Sequence, residues 1–136
     1  MSSIFSRIIS GEIPSYKIAE NEDCIAILDI NPLVMGHVLV IPKKETDYIF
    51  DINDAEYAAL WLFAKKVSAA VREAIPCKRV GIAVIGLEVP HAHIHLVPLQ
   101  HVGDINFAKP KLHPSKEELE KTAAKIITNY ELRVRH

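Results

Sequence analysis

The apolar residues of this chain change their period several times, and each change marks an element. Ile4, Phe5, Ile8 and Ile9 recur at helical spacing behind Ser2 and Ser3, either of which can cap. A short helix is therefore predicted from about Ile4 to Ser10, ended by Gly11 and Pro14. Tyr16 to Glu20 reads as a strand, Asn21-Glu22-Asp23 as a turn, and Cys24 to Asp29 as a second strand. Asn31-Pro32 breaks the chain, and Gly36 permits a turn into a buried strand from His37 to Ile41, stopped by Pro42. Asn53 with Glu56 three residues on makes a capping box, and Leu60, Trp61, Ala64, Val67, Ser68 and Val71 then carry a long helical period that Pro76 ends. A strand from about Arg79 to Ile85 and a turn at Gly86 follow. From His91 to Val97 polar and apolar residues alternate strictly, the mark of a half-buried strand, between Pro90 and Pro98. Asp104 to Pro114 has no steady period and reads as loop. Ser115 and Glu118 form a second capping box, and Leu119, Ala123, Ile126 and Ile127 predict a terminal helix to about Asn129. Strands in succession with the helices set apart predict an α+β fold on a mostly antiparallel sheet.

Composition narrows the class. The 136 residues fit one domain, expected over 1–136, with no linker, repeat or low-complexity segment. A formal net charge of −1 argues against broad electrostatic binding of nucleic acid, so any phosphate recognition must be local. No apolar run approaches the ~18 residues of a membrane span, so no membrane partner is expected. The amino-terminal residues lack the basic flank and long apolar core of a secretory signal. Cys24 and Cys77 read as packing thiols in a reducing compartment, and a cytoplasmic setting is expected.

The candidate chemistry is in the alternating run. On a strand, His91, His93, His95 and Val97 share one face, with neighbouring imidazoles roughly 6.6 Å apart and the outer two roughly 13 Å apart. Packing needs no such row. Two histidines at i and i+2 suit a zinc ion, although a closed site would draw further ligands from elsewhere. Alternatively, the middle imidazole attacks while its neighbours orient it, hold a substrate anion and protonate the leaving group. Spacing alone leaves both open.

The surroundings of the row carry a resemblance. His91-Ala92-His93-Ile94-His95-Leu96-Val97 with Gly86 five residues ahead is similar to the signature of the histidine-triad (HIT) family. So are Ser3-Ile4-Phe5-Ser6-Arg7-Ile8-Ile9 with Gly11-Glu12-Ile13-Pro14, Ala26 to Pro32, and Gly36 to Lys43. The likeness runs from about Ser3 to Pro98, leaving 99–136 as a tail with a helix. It implies a HIT-like sheet of about five strands, a homodimer, and cleavage of phosphoryl bonds attached to a nucleoside monophosphate. By the resemblance His93 is the nucleophile that forms a nucleotidyl-histidine. Protonated His95 would neutralise phosphate charge and donate to the departing group, and His91 and His37 buttress the nucleophile. Ile4, Phe5, Ile8 and Ile27 would line the base pocket of a purine nucleotide, Asp29 would accept from the ribose hydroxyls, and Gly86, Glu88 and Val89 would border the phosphate.

The chain also departs from the family pattern. Many members carry Gly-Gln-Ser or Gly-Gln-Thr where Gly86-Leu87-Glu88 stands here, and a carboxylate beside a phosphate repels it unless protonated or turned away. Some bacterial members bind zinc through Cys-x-x-Cys in the first helix, where this chain has Ser3 and Ser6. Hydroxyls are poor zinc ligands, so no structural metal and no cofactor is expected. The preferred expectation is a nucleotide hydrolase or transferase, either a phosphoramidase or a dinucleoside polyphosphate hydrolase. The alternatives are a nucleotide-binding adaptor without activity and a metal-dependent enzyme built on the histidine row.

Overall fold

The computed structural model describes residues 2–134; the ends of the domain expected over 1–136 lie outside the described residues. Five strands, β1 (Lys17–Glu20), β2 (Cys24–Leu28), β3 (Val38–Pro42), β4 (Arg79–Ala83) and β5 (Ile94–Leu99), form one sheet in the order β1-β2-β3-β5-β4. Every pairing is antiparallel. Helices α1 (Ile4–Ile9), α2 (Asp54–Ala74) and α3 (Lys116–Val134) complete the α+β architecture.

The period-two rule sorts the central strands onto two faces. Ala26, Val38, Val40, Ile94 and Leu96 join Leu60, Phe63, Val67, Val71 and Ile126 in the main core under α2 and α3. The alternate residues Ile25, Ile27, Leu39 and Ile41 form a second cluster with Phe5 of α1. All five residues of both β2 and β3 are buried, because helices cover both sides of the sheet there. The register pairs Leu39 with His95, which sets the last histidine on the α1 face, away from the main core.

The capping expectations hold. The Ser3 side chain accepts from Ser6 N, Asn53 accepts from Glu56 N, and Ser115 Oγ accepts from Glu118 N. The terminal helix runs past Asn129 to Val134, and Tyr130 stands edge-on to Phe63 with ring centroids 6.3 Å apart. That contact anchors the extra turn to α2. Short 3₁₀ turns at Ile49–Asp51 and Val102–Ile105 were not signalled by any apolar period. Cys24 and Cys77 are both free. No helix among the described residues is long and apolar enough to cross a membrane.

The histidine strand is corrected at both ends. β5 begins only at Ile94, so His91 and His93 lie in the irregular segment that leads into it, and β5 continues through Pro98. The segment is held by other means: His91 N–H donates to Val89 O at 2.8 Å, and Ala92 N–H to Thr46 O at 2.7 Å. Pro98 is tolerated because β5 has passed its last β3 pair, Val38 with Leu96.

Candidate active site

A cleft of about 370 Å³ opens on the α1 face of the sheet. Among its walls are Ile4 and Phe5 from α1, Ile27 and Asp29 from the end of β2, Gly86, Glu88 and Val89 from the loop before β5, and both His93 and His95. Most of the expected site residues therefore meet in one place. Ile8 does not: it packs on the cluster of Phe5, Ile27 and Leu39. The turn of α1 that brings Ile4 and Phe5 to the cleft carries Ile8 past it. His37 and His91 lie beneath the lining, 1% and 0% exposed. The rings of His93 and His95 converge to a centroid separation of 4.8 Å, closer than an ideal strand would hold them, because His93 is outside the strand.

The protons in this cluster can be assigned, since a carbonyl only accepts and a backbone N–H only donates. His93 Nδ1 lies 2.8 Å from the carbonyl of His91, so Nδ1 carries the proton and Nε2 is left with a free lone pair. His91 Nε2–H donates to Pro42 O at 2.7 Å, which makes its Nδ1 the acceptor for the Ser3 hydroxyl, also at 2.7 Å. The carboxylate of Glu45 takes Ser3 N–H and the Ser6 hydroxyl, each at 2.7 Å. The two serines at the Cys-x-x-Cys positions thus spend their hydrogen bonds on tying α1 to His91 and Glu45.

A second chain of bonds fixes His95. Leu33 N–H donates to His37 Nδ1 at 3.1 Å, so the proton of a neutral His37 is on Nε2. That proton points to His95 Nδ1 at 3.0 Å, and the proton of His95 is in turn on Nε2. Asp29, His37 and His95 bring donor atoms within 4.8 Å of one another, a group that could hold a metal ion. The proton assignment counts against that use. His37 Nε2 is a donor here, and freeing it for a metal would set a second N–H against that of Leu33.

Burial dominates the electrostatics. It lowers the pKa of His95 to about 3, helped by neighbouring His93, and that of His37 to about 4, helped by the charge of Lys111. His93 is also held below its ordinary value, chiefly by burial and against the pull of the His91 carbonyl. Burial thus favours the neutral form of all three rings in the free protein, against the imidazolium expected of His95. Burial raises the carboxyl pKa of Asp29. Its Oδ1 accepts from Asn31 N at 2.9 Å, closing the turn, while Oδ2 stands 3.8 Å from His37 Nε2. Gly86 has φ 73°, a conformation that favours glycine, and no atom would lie within 4 Å of a Cβ there. Its backbone conformation, rather than a close contact, calls for glycine.

Three residues near the histidines escaped the sequence reading. Glu45 follows β3 with no pattern of its own, and only the approach of α1 gives it partners. Phe107 and Lys111 line the cleft from the stretch read as featureless loop.

Comparison with known proteins fits this geometry. The HIT domain family model matches residues 10–102. A HIT-like protein of Borreliella burgdorferi is 37% identical over 102 residues, covering 70% of this chain and 73% of its own. The adenosine 5′-monophosphoramidase of Schizosaccharomyces pombe is 35% identical over 99 residues, 72% of this chain and 74% of its own. Among solved structures, a zinc-bound histidine triad family protein from Mycobacterium smegmatis superposes with a TM-score of 0.84 at 28% identity, covering 100% of this chain and 99% of that one. With the matching model spanning most of its length and a cleft floored by His93 and His95, the chain belongs to the histidine triad (HIT) family.

Proposed function

We propose that the chain is a single-domain nucleotide hydrolase or transferase that cleaves a phosphoryl bond to a nucleoside monophosphate through a covalent intermediate on His93. The observation that carries this is the 2.8 Å bond from His93 Nδ1–H to the His91 carbonyl, which leaves Nε2 unprotonated at the cleft. Nε2 attacks the α-phosphorus, and the bond to the leaving group breaks with its electron pair going to that group. Positive charge develops on the ring, where the His91 carbonyl stabilises it. His95 Nε2–H donates to the departing atom. Water then attacks phosphorus, the P–N bond returns its pair to His93, and the proton given up by water restores the one that His95 gave to the departing group. His91 and His37 act as positioning residues through the bonds that fix the two tautomers.

The apolar walls of Ile4, Phe5, Ile27 and Val89 suit the faces of a purine. Quenched-reaction mass spectrometry tests the core of the proposal. With adenosine or guanosine phosphoramidates, or with dinucleoside polyphosphates, a nucleotidyl adduct should accumulate on His93. Absence of the adduct during measurable turnover would refute it.

Two further outcomes are expected. The lowered pKa of His93 keeps the ring neutral, and so nucleophilic, down through neutral pH, and protonation removes it only in more acid solution. The acid limb of kcat/KM should have its midpoint below the ordinary imidazole value of about 6.5; a midpoint at or above that value contradicts the assignment. Asp29 lines the cleft, and its Oδ2 is free of the turn that uses Oδ1. Asp29→Ala should cut discrimination between ribo- and deoxyribonucleotide substrates by about 10-fold or more, as for loss of a charged hydrogen bond. Unchanged discrimination would remove Asp29 from the ribose site.

A homodimer is supported by the far side of the sheet. β4 is an edge strand, and Tyr48, Phe50, Ile82 and Ile85 are exposed around it at 57%, 68%, 51% and 48%. Trp61 Nε1 is buried without a partner beside them. A second copy would cover the edge and the apolar patch together. Sedimentation should give a dimer for the wild type and a monomer for Ile82→Arg; a monomeric wild type refutes the pairing.

A further inference from the structure

The cleft walls present carboxylates at Asp29 and Glu88, and burial disfavours positive charge on the histidines beside them. A phosphate entering between these groups needs a positive partner. Lys111 is the one lysine or arginine among the residues lining the cleft. Among the described residues its Nζ forms no ion pair and lies over the Phe107 ring, 5.9 Å from the centroid. Phe107 in turn stands edge-on to His95 with ring centroids 4.7 Å apart, and 6.2 Å from the ring of His37. The following residue ties the segment down: Leu112 N–H donates to Pro32 O at 2.9 Å, across the loop that leaves β2. The tail after β5 is thereby fastened at the His95 end of the cleft with its ammonium unspent. Lys111 is exposed at the cleft wall, where its ammonium can form a charge-assisted hydrogen bond to a phosphoryl oxygen.

We propose that Lys111 is the phosphate-binding cation of this cleft, supplied by the tail and seated by Phe107, and that it selects ligands by their phosphoryl charge. This rests on the nucleotide reading above and adds a binding residue outside the histidine signature. The charge of Lys111 also contributes to the lowered pKa values of His37 and His95, consistent with its closeness to both rings.

Isothermal titration with AMP and with adenosine, at low salt, tests it on the full chain. The wild type should bind AMP more tightly than adenosine. Lys111→Met should weaken AMP binding about 10-fold, the scale of one charged hydrogen bond, and leave adenosine within about 2-fold. Lys111→Arg should keep most of the AMP affinity, and Lys111→Glu should lose more than Lys111→Met. If the AMP-to-adenosine ratio is the same in the wild type, Lys111→Met and Lys111→Glu, the proposal is overturned. A wild type that binds AMP no better than adenosine overturns it as well. The His93 adduct measured on the wild type is independent of this ratio. Missing adduct with a Lys111-dependent ratio would therefore sink the covalent mechanism and leave the phosphate site standing.

Discussion

His93→Ala should lose at least about 10⁴-fold in turnover of any nucleotide substrate while keeping the wild-type fold. The size follows from what the substitution removes. In the proposed mechanism His93 forms the bond to phosphorus, so its loss leaves only direct attack by water. The fold should survive because the ring's one hydrogen bond is to the carbonyl of nearby His91 and its removal costs edge-on contacts with Phe5 and His95, while the main core under α2 and α3 is untouched. Circular dichroism and nucleotide binding should stay near wild type while steady-state turnover and the mass-spectrometric adduct vanish. A His93→Ala protein within 10-fold of wild-type turnover would end the covalent reading, as would an adduct found on another residue.

His95→Ala should slow turnover by about 10²-fold or more for substrates with an amine leaving group, and by less for those whose leaving group departs readily as an anion. The difference arises because His95 Nε2–H meets the departing atom in the proposed mechanism, and a group that leaves unaided needs that donor least. His95 sits in the middle of two contacts, His37 Nε2 at 3.0 Å and Phe107 edge-on. His95→Asn tests hydrogen bonding without the ring, and its rates should fall between the two. Equal losses for good and poor leaving groups would move His95 from the departing atom to a role in binding.

Much of this was legible from residue order. The capping residues Ser3, Asn53 and Ser115, the apolar runs of β2 and β3, and the histidine row have local causes, and local patterns report them. Other features have no local cause. Glu45 becomes a partner of Ser3 and Ser6 only when α1 docks beside the end of β3, across 39 and more residues of chain. Phe107 and Lys111 reach the cleft from a tail held by Leu112 N–H to Pro32 O and by ring contacts with His95 and His37, and no periodicity encodes such long-range contacts. The strict polar–apolar alternation overstated β5, since His91 and His93 owe their positions to Val89, Thr46 and Pro42 carbonyls, not to a ladder. Ile8, placed in the base pocket by the resemblance, packs instead on the cluster of Phe5, Ile27 and Leu39, a distinction that helical spacing does not encode.

The acceptor that orients His93 belongs to the main chain of His91, and every residue carries a carbonyl. Substitution at position 91 can unseat that oxygen by loosening the ring's grip on Pro42 and Ser3, yet no change of side chain can delete it. Damage there should consequently be graded and, by tightening the local backbone, reversible at a distance, whereas damage at 93 has no such remedy. A search for second-site suppressors should find them for His91 variants near Ser3, Glu45 and Pro42, and find none for His93→Ala.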